Sequence, residues 1–218
     1  MEWQLFADVP PEDVRRLLAI ARRRTFARNE VVFHRGDPAN ALHLIVEGRF
    51  AISIVTPLGE TAILGVRGPG EAFGDLALVS GRSTERSATV SALEPGETFS
   101  VLREDFARLR REHPDIDAVL VAILAESVRR LSEQVTEAYY LPADDRVLRR
   151  LADLAELYGG TVPLPQEALA ELAGTSRATV NRVLRAQEEL GVIELGRARI
   201  VVLERDALRG RRSGGGGI

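Results

Sequence analysis

The sequence predicts an α+β chain built in three successive parts: an antiparallel β domain, one long amphipathic helix, and two short helices followed by a β-hairpin. Three observations carry this. Glycines at 36, 48, 59 and 70 punctuate short apolar runs at intervals of 12, 11 and 11 residues, the rhythm of an antiparallel sandwich or barrel. Val121, Leu124, Val128, Leu131, Val135 and Ala138 follow at steps of 3, 4, 3, 4 and 3, which is a heptad seam. Residues 164–190, LPQEALAELAGTSRATVNRVLRAQEEL, read as helix, tight turn and helix.

From the N-terminus, residues 10–23 place Val14, Leu17, Leu18 and Ala21 on one helix face. Pro11, Glu12 and Asp13 suit its start. The runs VVF, LHLIV, FAISIV, AILGV, SATVSAL and TFSVL between Thr25 and Leu102 read as strands. Gly59, in Pro-Leu-Gly-Glu, marks a hairpin tip. EDFARLRREHP is a short helix stopped by Pro114. A helix from Asp115 to Tyr140 then carries the seam, flanked by Glu126, Arg129, Arg130, Glu133 and Glu137. A seam of this length is read as a two-stranded parallel coiled coil between two copies, rather than a helix packed on the β domain. Pro142 ends it, and Asp144 is placed to cap the helix 145–157, which Gly159-Gly160 closes. The expected division is 1–113 for the β domain, 114–141 for the dimer helix, 142–209 for the C-terminal domain, and 210–218 as a flexible tail.

Composition excludes several classes. The chain has 218 residues, 45% hydrophobic, with a net charge of −3. It is no polycation, so nucleic-acid binding needs a local basic patch. Its 29 basic residues are all arginine, which a coding bias explains. With no cysteine, disulfides, Cys-ligated zinc, iron–sulfur clusters and thiol catalysis are excluded. No run approaches the roughly 20 apolar residues of a membrane span. MEWQLFADVPPEDVRRLL carries acids where a signal peptide needs a basic flank. A cytoplasmic protein is expected.

His34, His43 and His113 are isolated and read as surface or loop histidines, which disfavours haem. A cupin-like metalloenzyme would need clustered His and carboxylate ligands. His34 and His43 are nine apart with no His-x-His pair, and no nucleophile sits beside a base. No catalytic or metal-binding residue is assigned.

The helix pair suits DNA. Ala170 lies within the first helix, Gly174-Thr175-Ser176 forms the turn, and Val180 and Leu184 face inward from the second. Ser176 and Thr179 sit near that helix's N-terminus, where N–H groups favour phosphate. Arg177, Asn181, Arg182 and Arg185 share one exposed face. Arginine grips guanine O6 and N7, and asparagine grips adenine, through paired hydrogen bonds. Two β runs flanking Leu195-Gly196-Arg197 form a hairpin wing that offers Arg197 and Arg199 to phosphates. This winged helix argues against a regulatory subunit that acts only on a protein partner.

FGDLAL…RSATV in the β domain, the long helix, and GTSRATVNRVLRAQEELGVI together resemble the cyclic AMP receptor protein / fumarate–nitrate regulator (Crp/Fnr) family, over nearly all of residues 5–205. The resemblance implies a cyclic-nucleotide-binding β-roll of the jelly-roll type, a dimerisation helix and a winged helix-turn-helix. It implies a homodimeric transcription regulator that binds a near-palindromic site on double-stranded DNA and works with RNA polymerase. By position, Arg177 and Arg182 would read base edges. Ala178 stands where the family type has a cytosine-reading glutamate, and Asn181 replaces a glycine, so a changed half-site is expected.

The resemblance also implies a ligand cassette. Gly74 and Asp75 match the glycine and acid at the ribose and phosphate, with Leu76 in the same turn. Arg86 matches the arginine that pairs a cyclic phosphate, and Ser87 the residue that hydrogen-bonds it. Asp75 is a methylene shorter than the usual glutamate. The Thr-Ser pair that usually contacts adenine is not restored. Matching through Tyr140-Leu141 puts Leu131 and Ser132 there, and matching through Arg129-Arg130-Leu131 puts Gln134 and Val135 there. Two states follow: a cassette that takes cyclic AMP or another cyclic nucleotide, or a constitutive DNA binder whose pocket is closed by an Asp75–Arg86 ion pair.

Overall fold

A computed structural model describes residues 6–57, 59–79 and 85–208. The tail 210–218 and the cassette residues 80–84 lie outside them. Chain contacts group the described residues into two units. The first runs to Ile54 and resumes over Leu64–Gln134; the second holds Val55–Ile63 and continues from Val135.

The first unit begins with α1 (Pro11–Ala19), with Pro11 at its first position and Glu12 and Asp13 in the first turn. The helix stops short of the expected Arg23. Arg22–Phe26 form β1 instead, paired antiparallel along its length with β8 (Gly96–Leu102). A long-range ladder overrides local helical spacing here. The strands between are β2 (Val31–Phe33), β3 (Ala41–Glu47), β4 (Phe50–Val55), β5 (Thr61–Arg67), β6 (Ala72–Phe73) and β7 (Thr89–Ala92). They form two four-stranded sheets, in the orders β1-β8-β3-β6 and β2-β7-β4-β5. Of these, β1 and β6 were not evident in the sequence. Their short, arginine-rich or Gly-flanked stretches carry little apolar alternation.

The glycines at 36, 48, 59 and 70 all have positive φ. At Gly48 the reason is also steric, since a Cβ would come within 2.6 Å of the Gly96 Cα. At the hairpin tip, Thr56 N–H donates to Glu60 O at 2.8 Å.

Burial follows the period of two. On β3, Leu42 and Leu44 join Leu17, Val101 and Phe106 in one core, while Ile45 joins Phe26, Phe50, Phe73 and Val90 in the other. Being buried on both faces explains the unbroken apolar run. The first core also takes α2 (Arg103–Glu112), through Phe106 and Leu109, and the start of α3 (Asp117–Tyr140), through Val119 and Ile123. Fully burying side chains of this size stabilises by about 1.5–3 kcal/mol each.

The seam occupies another face of α3. Val121, Val128, Leu131 and Val135 are 54–65% exposed. The chain itself covers none of these four, whereas Leu124, also of the seam, packs against the first core. Glu137 departs from its expected place as a solvated flank: it is 6% exposed. It accepts from Arg149 Nη1 at 2.8 Å and also from Arg150 on the next helix.

In the second unit, α4 (Ala143–Leu157) starts with Pro142 at its N-cap. Asp144 therefore does not cap it, but lies in its first turn with its carboxylate drawn elsewhere. Then come β9 (Thr161–Val162), α5 (Gln166–Ala173), α6 (Arg177–Glu189), β10 (Ile193–Gly196), β11 (Arg199–Val202) and α7 (Arg205–Leu208). The sheet order is β10-β11-β9. Two-residue β9 escaped the sequence reading because it is too short to alternate. Val147, Leu151, Leu169, Val180, Leu184 and Ile193 are 0–1% exposed and fill the core. No helix among the described residues is long and apolar enough to cross a membrane.

Candidate functional site

The cassette turn sits between β6 and a 3-10 turn, Asp75–Leu78. Gly74 caps that turn with φ 77° and ψ 24°, a region that favours glycine. A Cβ there would lie 2.6 Å from Arg86 Nη1 and 3.0 Å from Ala41 O. Ala77 and Leu78 are buried, while Leu76 is 43% exposed. Arg103 fixes the turn from below, with Nε donating to Ala77 O at 2.6 Å and Nη2 to Ala39 O at 2.5 Å.

Arg86 is 6% exposed. Its guanidinium lies 3.9 Å from the centre of the Phe33 ring. Nη1 donates to Ala41 O at 2.8 Å and Nη2 reaches Asn40 Oδ1 at 3.5 Å. Nε is buried and has no hydrogen-bond partner. Burial, with the nearby Arg103 charge, pushes the group down to about 10, against the pull of Asp37, so it stays charged at neutral pH. Ser87 is exposed beside it.

The Asp75–Arg86 ion pair of the closed-pocket alternative is absent. Asp75 Oδ2 instead accepts from Ser127 Oγ, on α3, at 2.6 Å. Its short side chain is within reach of a hydroxyl on the helix, and Arg86 is held by backbone carbonyl and ring.

Ser132 is exposed on α3. Ser127, Arg130 and Gln134 make polar contacts from α3 to the roll. Arg130 Nη1 pairs with Glu71 at 3.2 Å and Glu126 at 3.3 Å, and Gln134 Nε2 donates to Leu64 O at 2.6 Å. Their spacing of three and four residues was the signal that marks one helix face. Arg67 lies against this group, and burial, followed by the charge on Arg130, pushes it down to about 10. Nothing in the sequence of β5 singled out Arg67.

His43 is the other departure. It is no surface residue but lies on β3, 6% exposed. It stacks on Phe73 with centroids 5.0 Å apart, and its Nδ1 is 3.0 Å from Thr98 Oγ1. Among the described residues no cluster of three His, Asp or Glu side chains is placed to hold a metal.

In the second unit α5, the Gly174 turn and α6 make the helix-turn-helix. Gly174 has φ 57°. Ser176 caps α6, its Oγ accepting from Thr179 N at 3.1 Å and lying 3.0 Å from Thr179 Oγ1. Arg177, Asn181, Arg182 and Arg185 are all exposed on α6. Three of them have partners: Asn181 Nδ2 donates to Gln166 Oε1 at 3.2 Å, Arg182 Nη2 to Asp144 Oδ1 at 2.5 Å, and Arg185 Nη1 to Glu188 Oε2 at 2.7 Å. The wing is the β10–β11 hairpin, with Arg197 exposed at its tip beside Ala198, whose φ is 55°. Arg199 is exposed on β11 and folds over Gly196.

A capped, arginine-bearing second helix with an arginine-tipped wing defines a winged helix-turn-helix protein, here joined to a β-roll. Residues 23–113 match the cyclic nucleotide-binding domain family, and residues 145–211 match the Crp-like helix-turn-helix domain. The chain is 36% identical over 203 residues, 92% of each chain, to the cyclic AMP receptor protein of Thermus thermophilus. It is 27% identical over 216 residues, 95% of each, to the CRP-like cAMP-activated global transcriptional regulator of Mycobacterium tuberculosis. The solved structure of the c-di-GMP responsive global regulator CLP from Xanthomonas campestris superposes with a TM-score of 0.75 at 25% identity, over 88% of this chain and 99% of that one. The chain belongs to the Crp/Fnr family of DNA-binding transcription regulators.

Proposed function

We propose that the chain is a homodimeric regulator whose DNA affinity is set by a cyclic nucleotide in the roll, and that it has no enzymatic activity. The observation that carries the ligand step is Arg86: a buried guanidinium, charged at neutral pH, whose Nε has no acceptor. A cyclic phosphate supplies one negative charge and the missing acceptor. Gly74, without a Cβ, leaves room for Arg86, and Ser87 offers an exposed hydroxyl next to it. These residues fit a cyclic phosphate. Relatives named for cyclic AMP activation, in Mycobacterium tuberculosis and Pseudomonas aeruginosa, support the same ligand class.

The division at 1–113, 114–141 and 142–209 follows these roles. Two copies pair through residues 115–140, along the exposed seam. Each presents Arg177, Asn181 and Arg182 to a major-groove half-site, with half-site centres about 34 Å apart. Ser176, Thr179, Arg185 and the wing's Arg197 hold phosphates. Ligand acts where Asp75 and Glu71 meet Ser127 and Arg130 on the roll-facing side of α3, biasing the helix toward the pairing that suits DNA. Such a dimer works on a near-palindromic operator with RNA polymerase as its further partner, in the cytoplasm.

The reading is tested by selecting bound DNA from a random pool and then titrating cyclic AMP and cyclic GMP against the selected sequence. Tighter DNA binding with one nucleotide is expected. Unchanged affinity at saturating nucleotide leaves a constitutive regulator, a reading that the Ser127–Asp75 hydrogen bond favours because it occupies the acid without ligand.

A further inference from the structure

Beside Arg86, within the first unit, lies a cavity of about 310 Å³. Its walls come from β1, β2, β3, β8, Arg86 and the loop from Asp37 to Asn40, and none from the Asp75–Leu78 turn. Phe26, Val32 and Phe33 give it apolar surface, and Arg24, Asn40 and Arg86 also line it, with the Arg86 guanidinium 3.9 Å from the centre of the Phe33 ring. This combination of apolar surface and a few polar groups is what small-molecule sites present, and the volume falls at the low end of their ~300–1,000 Å³ range.

Among the described residues the charges lining the cavity are not balanced. Arg86 is 94% buried, by its 6% exposure, and makes no salt bridge among the described residues. Its Nε hydrogen is unfilled. On β1, Arg22 and Arg23 are paired, with Asp105 at 3.6 Å and Glu97 at 2.5 Å. Their neighbour Arg24, which lines the cavity, has no carboxylate within salt-bridge distance among the described residues. His43 also lines the cavity and is neutral at physiological pH, because burial, then Arg86 and Arg24, push it down to about 3. Asp37 is the one acid among the lining residues, and its Oδ2 already accepts from His34 N at 2.7 Å. Two guanidinium groups against one carboxylate leave a single positive charge.

We propose that this cavity is a second ligand site, for a small organic monoanion whose carboxylate lies between Arg86 and Arg24 and whose apolar body lies against Phe26 and Phe33. A charge-assisted pair with the Arg86 guanidinium balances the positive charge of the cavity. Binding has a regulatory consequence that rests on the cyclic-nucleotide reading. One guanidinium cannot give the same donor to two anions, so the monoanion and the nucleotide weaken each other's binding by the same factor.

Calorimetry on the full chain tests the site, first with benzoate and separately with inorganic phosphate, both without nucleotide. Saturable one-to-one binding of benzoate is expected, with a shift of the Arg86 Nε–H resonance in arginine-labelled protein. Arg24→Gln alters an exposed side chain and should weaken benzoate about tenfold with the melting temperature unchanged. No saturable binding up to about 10 mM, well above the millimolar affinities of weak ligands, overturns the site. So does benzoate binding indifferent to Arg24→Gln, or binding of phosphate alone. Cyclic AMP is then titrated with and without benzoate. A rise in its dissociation constant that Arg24→Gln abolishes supports the antagonism, and independent binding of the two overturns it. Benzoate binding in a protein that takes no cyclic nucleotide supports the site and removes the cassette reading instead.

Discussion

Arg182 on α6 donates Nη2–H to Asp144 Oδ1 at 2.5 Å, so a side chain proposed to read DNA is held by a carboxylate from the first turn of α4. Each charge favours the other: the hydrogen bond from Arg182 holds Asp144 below the usual carboxylate range, and Asp144 raises Arg182. Both side chains are well exposed, at 64% and 45%, so solvent screens the pair and it adds little to folding. Its effect falls on binding. Arg182 must leave Asp144 to reach a base, and the carboxylate repels phosphate. Asp144→Ala should therefore tighten DNA binding several-fold at low salt and leave the melting temperature unchanged. Arg182→Ala should weaken specific binding roughly ten- to hundredfold. In fluorescence anisotropy the double variant should lose most of the gain from Asp144→Ala. Full additivity would separate the two residues.

The seam of α3 makes a prediction about assembly. Val128 is 62% exposed and Leu131 58%, although neighbouring turns of the same helix bury Ile123 in the roll core. Val128→Glu puts a charge into the proposed interface at a side chain that its own chain leaves mostly exposed. Sedimentation should show monomer where the parent is dimer, with the melt of the isolated fold little changed. A parent chain that sediments as monomer at micromolar concentration would remove the coiled-coil reading.

What could be read from the sequence follows the length of each signal. The heptad seam and the helix-turn-helix span many residues, so Val128, Leu131, Val180 and Leu184 could be placed by periodicity alone. The β-roll was legible because glycines 36, 48, 59 and 70 are required by positive φ at each strand end. The cassette was legible only in part. Gly74 and Arg86 carry a recognisable pattern, but Ser127 meets Asp75 across 52 residues of chain, and no local spacing announces that. Lone polar residues were harder still. His43 and Glu137 look solvent-facing by type, and only the folded chain shows one stacked under Phe73 and the other held by two arginines.

His43 gives the acid limb of stability a specific source. Burial, then Arg86 and Arg24, depress its pKa from 6.5 to about 3. The unfolded chain takes up a proton below about pH 6.5, and the folded chain does not until about pH 3. Stability from this site is thus complete above the unfolded value and is lost as pH falls from about 6.5 toward 3, with a limiting slope of about 1.4 kcal/mol per pH unit. Urea unfolding between pH 7 and 4 should show that slope, added to the carboxylates' own below about pH 5. His43→Phe, which keeps an aromatic ring beside Phe73, should remove the part between pH 6.5 and 5. An unchanged slope in the variant would place the titration elsewhere.

Glu137 and Glu133 lie one turn apart on α3 and separate burial from charge. Glu133 pairs with Arg129 at 2.6 Å, but both side chains are 57% exposed, so Glu133→Gln should change stability by no more than about 0.5 kcal/mol. The Glu137 side chain is 8% exposed and meets Arg149 and Arg150. Arg150 is only 21% exposed and also pairs with Asp153, at 3.1 Å. Glu137→Gln removes the buried charge and strands much of a guanidinium that water reaches poorly. The loss should be about 1–3 kcal/mol, seen as a lower melting temperature by circular dichroism. Asp153 offsets part of it, so Glu137→Gln with Asp153→Asn should cost more than the sum of the single changes. Equal, small effects for Glu133→Gln and Glu137→Gln would mean that the Glu137 pairs are as solvated as those on the outer face of α3.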